Sequence, residues 1–131
     1  MFIYPRRVRV QDTDTTGVLY FANLLQITLE AFEEFLLSKE FFIQEMVSKY
    51  QVLLPIVHTE GDFFSPIRVG DMLHVHLSLK EVGKSSFSYS ADIFQGENKA
   101  GAASIVHVAY CSQKSTSIPI PEKLKVLVDA I

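Results

Sequence analysis

Residues 22–38 form the segment that most constrains how this chain can fold. Their apolar side chains recur at the helical spacing of three and four residues, which predicts an amphipathic α-helix. The apolar face is broad, so a large surface must cover most of the helix. The apolar positions are Leu24, Leu25, Thr28, Ala31, Phe32, Phe35 and Leu36. The polar positions on the opposite side are Asn23, Gln26, Glu30, Glu33 and Glu34.

The segments around this helix predict the surface that covers it. Residues 2–11 are rich in β-branched and aromatic side chains and predict a strand before the helix. Short helices are predicted at 41–49 and 122–130, and strands at 51–64, 72–81, 85–95 and 102–112. One strand, a long helix and four successive strands predict an α+β fold with a single antiparallel sheet against the helix. This order argues against a doubly wound parallel sheet.

Composition narrows the class of protein further. The chain has 131 residues, 48% of them hydrophobic and 21% charged, so we expect one globular domain spanning 1–131. Its net charge is −3, and its basic residues are scattered apart from Arg6, Arg7 and Arg9, which argues against nucleic acid as a partner. A single cysteine excludes an internal disulfide. We find no leader and no membrane-spanning run of apolar residues, so we expect a cytoplasmic protein with no membrane partner.

The densest polar cluster lies between the first strand and the long helix and reads Asp12-Thr13-Asp14-Thr15-Thr16-Gly17. A calcium loop is one interpretation, but Asn23 stands where such a loop needs a bidentate Glu. A phosphoaspartate enzyme is a second interpretation, although such an enzyme requires a parallel α/β sheet. A third interpretation is that these residues only cap the helix and form the turn before it. The cluster alone does not decide between a structural and a catalytic role.

The chain around this cluster resembles a known family. The stretch from Asp12 to Leu24, Asp-Thr-Asp-Thr-Thr-Gly-Val-Leu-Tyr-Phe-Ala-Asn-Leu, resembles the opening motif of hotdog-fold acyl-CoA thioesterases of the 4-hydroxybenzoyl-CoA thioesterase type. The segment Leu54-Pro55-Ile56-Val57-His58, running on to Asp62-Phe63-Phe64-Ser65-Pro66 and Val69-Gly70-Asp71-Met72-Leu73, resembles the second and third strands of that family, in the same order. The resemblance implies a hotdog fold, in which a five-stranded antiparallel sheet wraps around a long central helix.

The resemblance also implies an activity and a substrate class. Within the family the chain looks most like the hydrolases of 1,4-dihydroxy-2-naphthoyl-CoA in phylloquinone and menaquinone synthesis, which release the free acid and CoA. Alternative substrates are 4-hydroxybenzoyl-CoA and short aliphatic acyl-CoAs, and a different class is a non-catalytic acyl-CoA-binding domain. No zinc-ligand spacing is present, and we expect neither cofactor nor metal. Family sites form between paired subunits, which implies a homodimer or homotetramer.

Candidate site residues follow from the family motif. Its second aspartate is the catalytic carboxylate, which places this role on Asp14. An ionised carboxylate can attack a thioester or activate water. The backbone amide of Phe21, at the helix N-terminus, would stabilise the oxyanion, and Gly17 would permit the tight turn between them. Tyr20 and His58 are the expected substrate contacts, with the His58 imidazole bonded to a hydroxyl of the acyl group.

The remaining expectations concern the cations that hold CoA and the carboxylates Glu30 and Asp12. The arginine-rich turn that holds CoA in the family is reduced here to Val82-Gly83-Lys84-Ser85-Ser86, which leaves Lys84 as the matching cation. Other exposed cations, such as Arg68 or Lys80, are alternatives for the CoA phosphates. Glu30 is a rival catalytic carboxylate, although it lies roughly 12 Å beyond the helix start. We expect Asp12 to accept hydrogen bonds from turn amides.

Overall fold

The computed structural model describes residues 1–131, and it contains eight strands and three α-helices. The strands are β1 (Phe2–Arg7), β2 (Val52–Leu53), β3 (Ile56–Phe63), β4 (Met72–Val82), β5 (Ser86–Gln95), β6 (Asn98–Val108), β7 (Tyr110–Cys111) and β8 (Thr116–Ser117). The helices are α1 (Phe21–Ser38), α2 (Ile43–Tyr50) and α3 (Glu122–Asp129), and a 3-10 turn spans Val10–Asp12. None of the helices is both long enough and apolar enough to cross a lipid bilayer.

Five strands form one antiparallel sheet in the order β1-β4-β5-β6-β3. Short turns join β4 to β5 and β5 to β6, and such turns force an antiparallel return. The edge strands β1 and β3 and the inner strands β4 and β6 all contact α1, so the sheet wraps around the helix. The predicted antiparallel sheet and central helix are therefore both present. Strands β2, β7 and β8 form a second, three-stranded sheet that the sequence did not predict.

Helix α1 is buried on the side that meets the sheet. Ala31 and Phe32 have no exposed surface, and the Phe32 ring stacks on Tyr89 of β5 with centroids 4.5 Å apart. Every predicted apolar position is buried except Leu25, which is half-buried. Ile27, absent from the predicted face, is 1% exposed. The sheet therefore covers a face of α1 that is rotated slightly from the predicted one.

The helix and the sheet approach each other most closely at two glycines. A Cβ atom on Gly61 would lie 3.2 Å from side-chain atoms of both Leu24 and Leu25. One on Gly101 would lie 3.3 Å from Leu24 and 3.2 Å from the carbonyl oxygen of Asp62. Because interiors are close-packed, a larger side chain at either position would push α1 outward. These glycines thus set how deeply the first turns of α1 lie against β3 and β6.

The first strand is shorter than predicted. It ends at Arg7 rather than near residue 11. The Asp12 carboxylate accepts a hydrogen bond from the Arg9 amide at 2.7 Å, and the intervening residues form the 3-10 turn. A local side-chain bond to the backbone competes with strand formation in this way. The turn brings the chain back towards the start of α1.

Two other predicted strands have different bounds. Pro55 follows β2 and has no amide to donate to a sheet, so the strand predicted at 51–64 is divided into β2 and β3. The strand predicted at 102–112 begins earlier, at Asn98, because a two-residue turn at Gly96 and Glu97 closes the hairpin. The start of β6 is rich in Ala and Gly, which have low strand propensity and conceal the strand in the sequence.

A hydrogen-bonded histidine lies in the core. His107 is 3% exposed, with Nδ1 2.9 Å from the Leu54 carbonyl oxygen and Nε2 2.9 Å from the Tyr89 hydroxyl. A carbonyl oxygen can only accept, so Nδ1 donates to Leu54, and in the neutral imidazole Nε2 then accepts from the Tyr89 hydroxyl. This arrangement uses the neutral imidazole. Burial lowers the pKa of His107, so the core favours that neutral form.

We expect the protein to lose stability in mild acid because of His107. Its pKa is lower in the folded than in the unfolded chain, so the unfolded chain binds the proton first as pH falls. The contribution is complete above the unfolded value of about 6.5 and is lost as pH falls towards the folded value. Urea unfolding across this range measures the slope. We expect His107→Gln to flatten it and His74→Gln, at an exposed position of β4, to preserve it; an unchanged slope in His107→Gln would contradict the prediction.

Candidate functional site

The polar cluster predicted from the sequence forms a closed loop before α1. Thr13 and Leu19 pair as an antiparallel bridge, and the Asp14 amide donates to the Val18 carbonyl oxygen at 2.9 Å. Gly17 has φ +77°, a conformation that L side chains rarely adopt, and its amide donates to the Asp14 carbonyl oxygen at 3.2 Å. The tight turn expected at Gly17 is present, and it leaves Asp14 at the start of the turn.

Backbone hydrogen bonds hold this loop against the segment between β3 and β4. The Leu19 amide donates to Ile67 at 2.7 Å, and the Val69 amide donates to Gly17 at 3.1 Å. Val18 and Arg68 pair as an isolated bridge. The loop is therefore anchored on both sides by main-chain contacts that do not depend on its exposed side chains.

The Asp14 carboxylate is exposed to solvent and is ionised at neutral pH. One of its oxygens, Oδ1, accepts hydrogen bonds from the Thr16 hydroxyl at 2.6 Å and the Thr16 amide at 2.7 Å. These bonds, the hydroxyl first, lower the pKa of Asp14 because they favour the charged form. The second oxygen, Oδ2, has no hydrogen bond within the protein. Asp14 thus presents one fixed oxygen and one oxygen available for chemistry.

Helix α1 begins a few residues after Asp14 without a capping side chain. Tyr20 is the N-cap residue, and no side chain bonds to the first turn from this position. The Phe21 amide makes no hydrogen bond, as expected for the first amides of an uncapped helix. The side chains of Tyr20 and Phe21 are 56% and 51% exposed. The positive end of the helix dipole is therefore accessible to an anion or to a developing oxyanion.

Sequence analysis missed the partner of Asp12. The Asp12 carboxylate is buried and pairs with the Arg6 guanidinium, with Nη1–Oδ2 at 2.6 Å and Nη2–Oδ1 at 3.1 Å. It also accepts the Arg9 amide, as expected of a carboxylate in a turn. The Arg6 contact is the main cause that lowers the pKa of Asp12. Because Arg6 occupies this carboxylate, a calcium ion in the loop would have to displace it.

Glu30 belongs to the same charged network. Its two oxygens accept hydrogen bonds from the Tyr4 hydroxyl at 3.0 Å and from Arg6 Nε at 2.9 Å. Burial and then the bond to Glu30 raise the pKa of Tyr4 to about 12. Glu30 lies nine residues after Phe21, or about 13 Å along the helix. These contacts give the rival carboxylate a structural role that joins α1 to β1.

An apolar groove of about 390 Å³ lies beside the loop. Its lining includes Val18, Phe63, Phe64 and the cation Arg68. The Phe63 ring is 6.1 Å from that of Phe21, so the groove continues towards the start of α1. An apolar floor with a charged rim suits a ligand that combines an aromatic or aliphatic group with an anionic one.

A larger groove, of about 530 Å³, lies over the charged network and is mostly polar. Arg6 lines it, but two carboxylates already neutralise this guanidinium. The groove also contains no other cation. It is therefore a poor site for the phosphates of a nucleotide, despite its size.

Two predicted binding residues lie away from the loop within one chain. His58 is exposed on β3, five residues from Phe63, which places it about 17 Å along the strand from the start of α1. Lys84 follows the last residue of β4. The first residue of that strand, Met72, is the one close to the Asp14 loop, so about 33 Å of strand separates Lys84 from the loop. A single chain does not assemble either residue with Asp14.

Comparison with known proteins agrees with this architecture. The chain matches the thioesterase-like superfamily over residues 8–128. It is 34% identical over 123 residues to a 1,4-dihydroxy-2-naphthoyl-CoA hydrolase of Nostoc punctiforme, covering 94% of this chain and 83% of the relative. It is 39% identical over 111 residues to that of Gloeothece citriformis, covering 82% and 78%. The crystal structure of a 1,4-dihydroxy-2-naphthoyl-CoA thioesterase from Synechocystis has a TM-score of 0.91 at 32% identity, covering 99% of this chain and 96% of that one.

A sheet wrapped around a central helix, with an acidic loop before the open start of that helix, defines an α+β protein of the hotdog type. The predicted fold is confirmed. With the family match over residues 8–128, the chain belongs to the thioesterase-like superfamily.

Proposed function

We propose that this protein hydrolyses 1,4-dihydroxy-2-naphthoyl-CoA to the free acid and CoA. The observation that carries the proposal is the ionised, exposed Asp14 carboxylate on a loop that leads directly into the uncapped N-terminus of α1. Relatives that are 34–39% identical over most of their length are hydrolases of this thioester. The whole chain, residues 1–131, would act as one thioesterase domain in the cytoplasm.

The arrangement supplies the two elements that thioester hydrolysis needs. The free Oδ2 of Asp14 attacks the carbonyl carbon or removes a proton from the attacking water. The Phe21 amide donates to the carbonyl oxygen as it gains negative charge. When water attacks, the C–S bond breaks, the CoA thiolate leaves and takes the proton, and the oxygen of water ends in the acid. When Asp14 attacks, it displaces the thiolate to form a mixed anhydride, and water then attacks the aspartyl carbonyl to release the acid and regenerate Asp14. Single-turnover hydrolysis in ¹⁸O-water distinguishes the two routes, because direct attack transfers label into Asp14.

The groove beside the loop supports an aromatic acyl group. Phe63 and Phe64 offer aromatic faces, and a bicyclic ring gains both area and stacking against them. Arg68 at the rim is placed to meet an anionic part of the substrate. Tyr20, exposed beside Phe21, would complete the wall of the acyl site.

A panel of thioesters tests the proposal. Release of CoA is measured from 1,4-dihydroxy-2-naphthoyl-, 4-hydroxybenzoyl-, benzoyl- and short aliphatic acyl-CoAs. We expect the naphthoyl thioester to be preferred strongly over the others. Preference for 4-hydroxybenzoyl or aliphatic thioesters would retain the enzyme class and change the substrate. Binding of all four without turnover would instead favour an acyl-CoA-binding domain.

We further propose that the site is completed by a second copy of this chain. Strand β3 is an edge strand, and its residues 56–60 are all exposed. Val57, 59% exposed, adds apolar surface to backbone groups that a second strand could pair. Antiparallel pairing of two β3 strands would bring the partner's His58 towards this chain's α1. The partner's Lys84 is likewise the cation we assign to CoA.

We expect this pairing to be required for activity. Sedimentation of the wild type should give a dimer or tetramer, and Val57→Lys should give a monomer, because a charge at a strand edge opposes pairing. The monomer should lose most turnover. Val126→Lys makes the same chemical change on the exposed face of α3 and should alter neither property. An active monomeric wild type would contradict the proposed assembly.

A further inference from the structure

We propose that Arg6, Asp12 and Asn23 form a positioning unit that sets the separation between the Asp14 carboxylate and the first amides of α1. The inference rests on the proposed function. Asp12 is the only buried carboxylate in the chain, at 7% exposed, and it stands two residues before Asp14. None of the three residues needs to touch the substrate for this role.

The side chain of Asp12 is fixed by charged contacts. Arg6 holds both carboxylate oxygens with two guanidinium nitrogens, and the Arg9 amide adds a third bond at 2.7 Å. A planar fork of this kind fixes the direction of a carboxylate as well as neutralising it. The remaining Arg6 nitrogen, Nε, donates to Glu30 on α1 at 2.9 Å. One guanidinium therefore links β1, the 3-10 turn and the helix.

The backbone of Asp12 is fixed by the start of α1. Its carbonyl oxygen accepts the Tyr20 amide at 3.1 Å and the side-chain amide of Asn23, Nδ2, at 2.8 Å. The donors flank Phe21, whose amide is free. The loop leaves from Asp12 and returns to Tyr20, so this junction closes it at its base. The position of Asp14 relative to the Phe21 amide is thereby set from outside the reacting groups.

A purely structural explanation accounts less well for these residues. A buried carboxylate is costly to desolvate, and an apolar residue of similar size would stabilise a helix–strand junction at lower cost. A charged pair instead specifies direction, which matters where two reacting groups must be aligned. Misplacing such groups by about 1 Å can lower a rate by about 10²-fold.

Asn23→Ala tests the inference directly, because it removes one hydrogen bond to Asp12 and no charge. We expect kcat for 1,4-dihydroxy-2-naphthoyl-CoA to fall about 10- to 100-fold, with KM changed by less than about threefold. Arg6→Lys keeps the charge but loses the two-pronged contact, and we expect the same pattern. Gln26→Ala, an amide one turn further along α1 without a hydrogen bond, is the matched control and should leave kcat unchanged.

Melting temperatures and rates separate positioning from stability alone. Rates are measured well below the melting temperature of each variant and per folded molecule. If Asn23→Ala and Arg6→Lys lower only the melting temperature and retain the wild-type kcat, the inference is overturned and the proposed function is untouched. If the wild type hydrolyses none of the thioesters, the proposed function and this inference are both wrong. A loss confined to kcat supports the positioning role.

Discussion

We expect Asp14→Asn to lower kcat for 1,4-dihydroxy-2-naphthoyl-CoA by at least about 10²-fold, the usual scale for loss of a catalytic acid–base group. The substitution keeps the shape of the side chain and removes its charge, so neither attack on the carbonyl nor removal of a proton from water is possible. Because Asp14 is exposed and its loop is held by backbone bonds, the melting temperature should change little. Initial rates on purified wild type and variant provide the measurement.

Asp129→Asn is the control for this result, since it neutralises an exposed aspartate at the end of α3. It should retain the wild-type kcat. A kcat of Asp14→Asn within about threefold of the wild-type value would show that Asp14 is not catalytic. Glu30, the rival carboxylate on α1, would then be the next residue to test.

Phe32→Ala should lower the free energy of unfolding by about 3–5 kcal/mol, the range for truncating a fully buried aromatic ring. The ring has no exposed surface and stacks on Tyr89, and it also lies 5.4 Å from His107 and 5.6 Å from Phe87. Its loss would leave a cavity at the centre of the contact between α1 and the sheet. Urea unfolding at one fixed protein concentration measures the effect, since association adds to apparent stability.

Phe42→Ala supplies the comparison, because Phe42 is 47% exposed at the start of α2. We expect it to cost about 1 kcal/mol or less. Equal losses in the two variants would mean that Phe32 is not the centre of the core.

The apolar spacing of residues 22–38 was sufficient to predict the central helix and the need for a sheet around it. It could not predict which side the sheet takes, because Leu25 and Ile27 both border a broad apolar face and only packing selects Ile27. The start of β6 escaped prediction for a related reason. Gly101 leaves room for α1 to approach the strand, and Ala and Gly both give little strand signal.

The candidate site was predicted unevenly. The positions of Asp14, Gly17 and Phe21 came from a motif within ten residues, which sequence analysis detects well. The Arg6 contacts join residues up to 24 positions apart, and no local pattern indicates them. The sequence did contain a signal for an ion pair, since the strand with Arg6 precedes Asp12 and Asp14. Only the fold shows which of the N-terminal arginines points inward.

The open start of α1 also limits how robust this protein can be made. A Ser or Asp at the N-cap commonly contributes about 0.5–2 kcal/mol to a helix, and Tyr20 contributes no such bond. Selection for heat resistance alone would favour such a cap, whose oxygen would bond the amide of Ala22 or Asn23 and lie beside the Phe21 amide that we propose for the carbonyl oxygen. The longest helix of the fold is thus kept less stable at one end than its length allows, a compromise between durability and turnover.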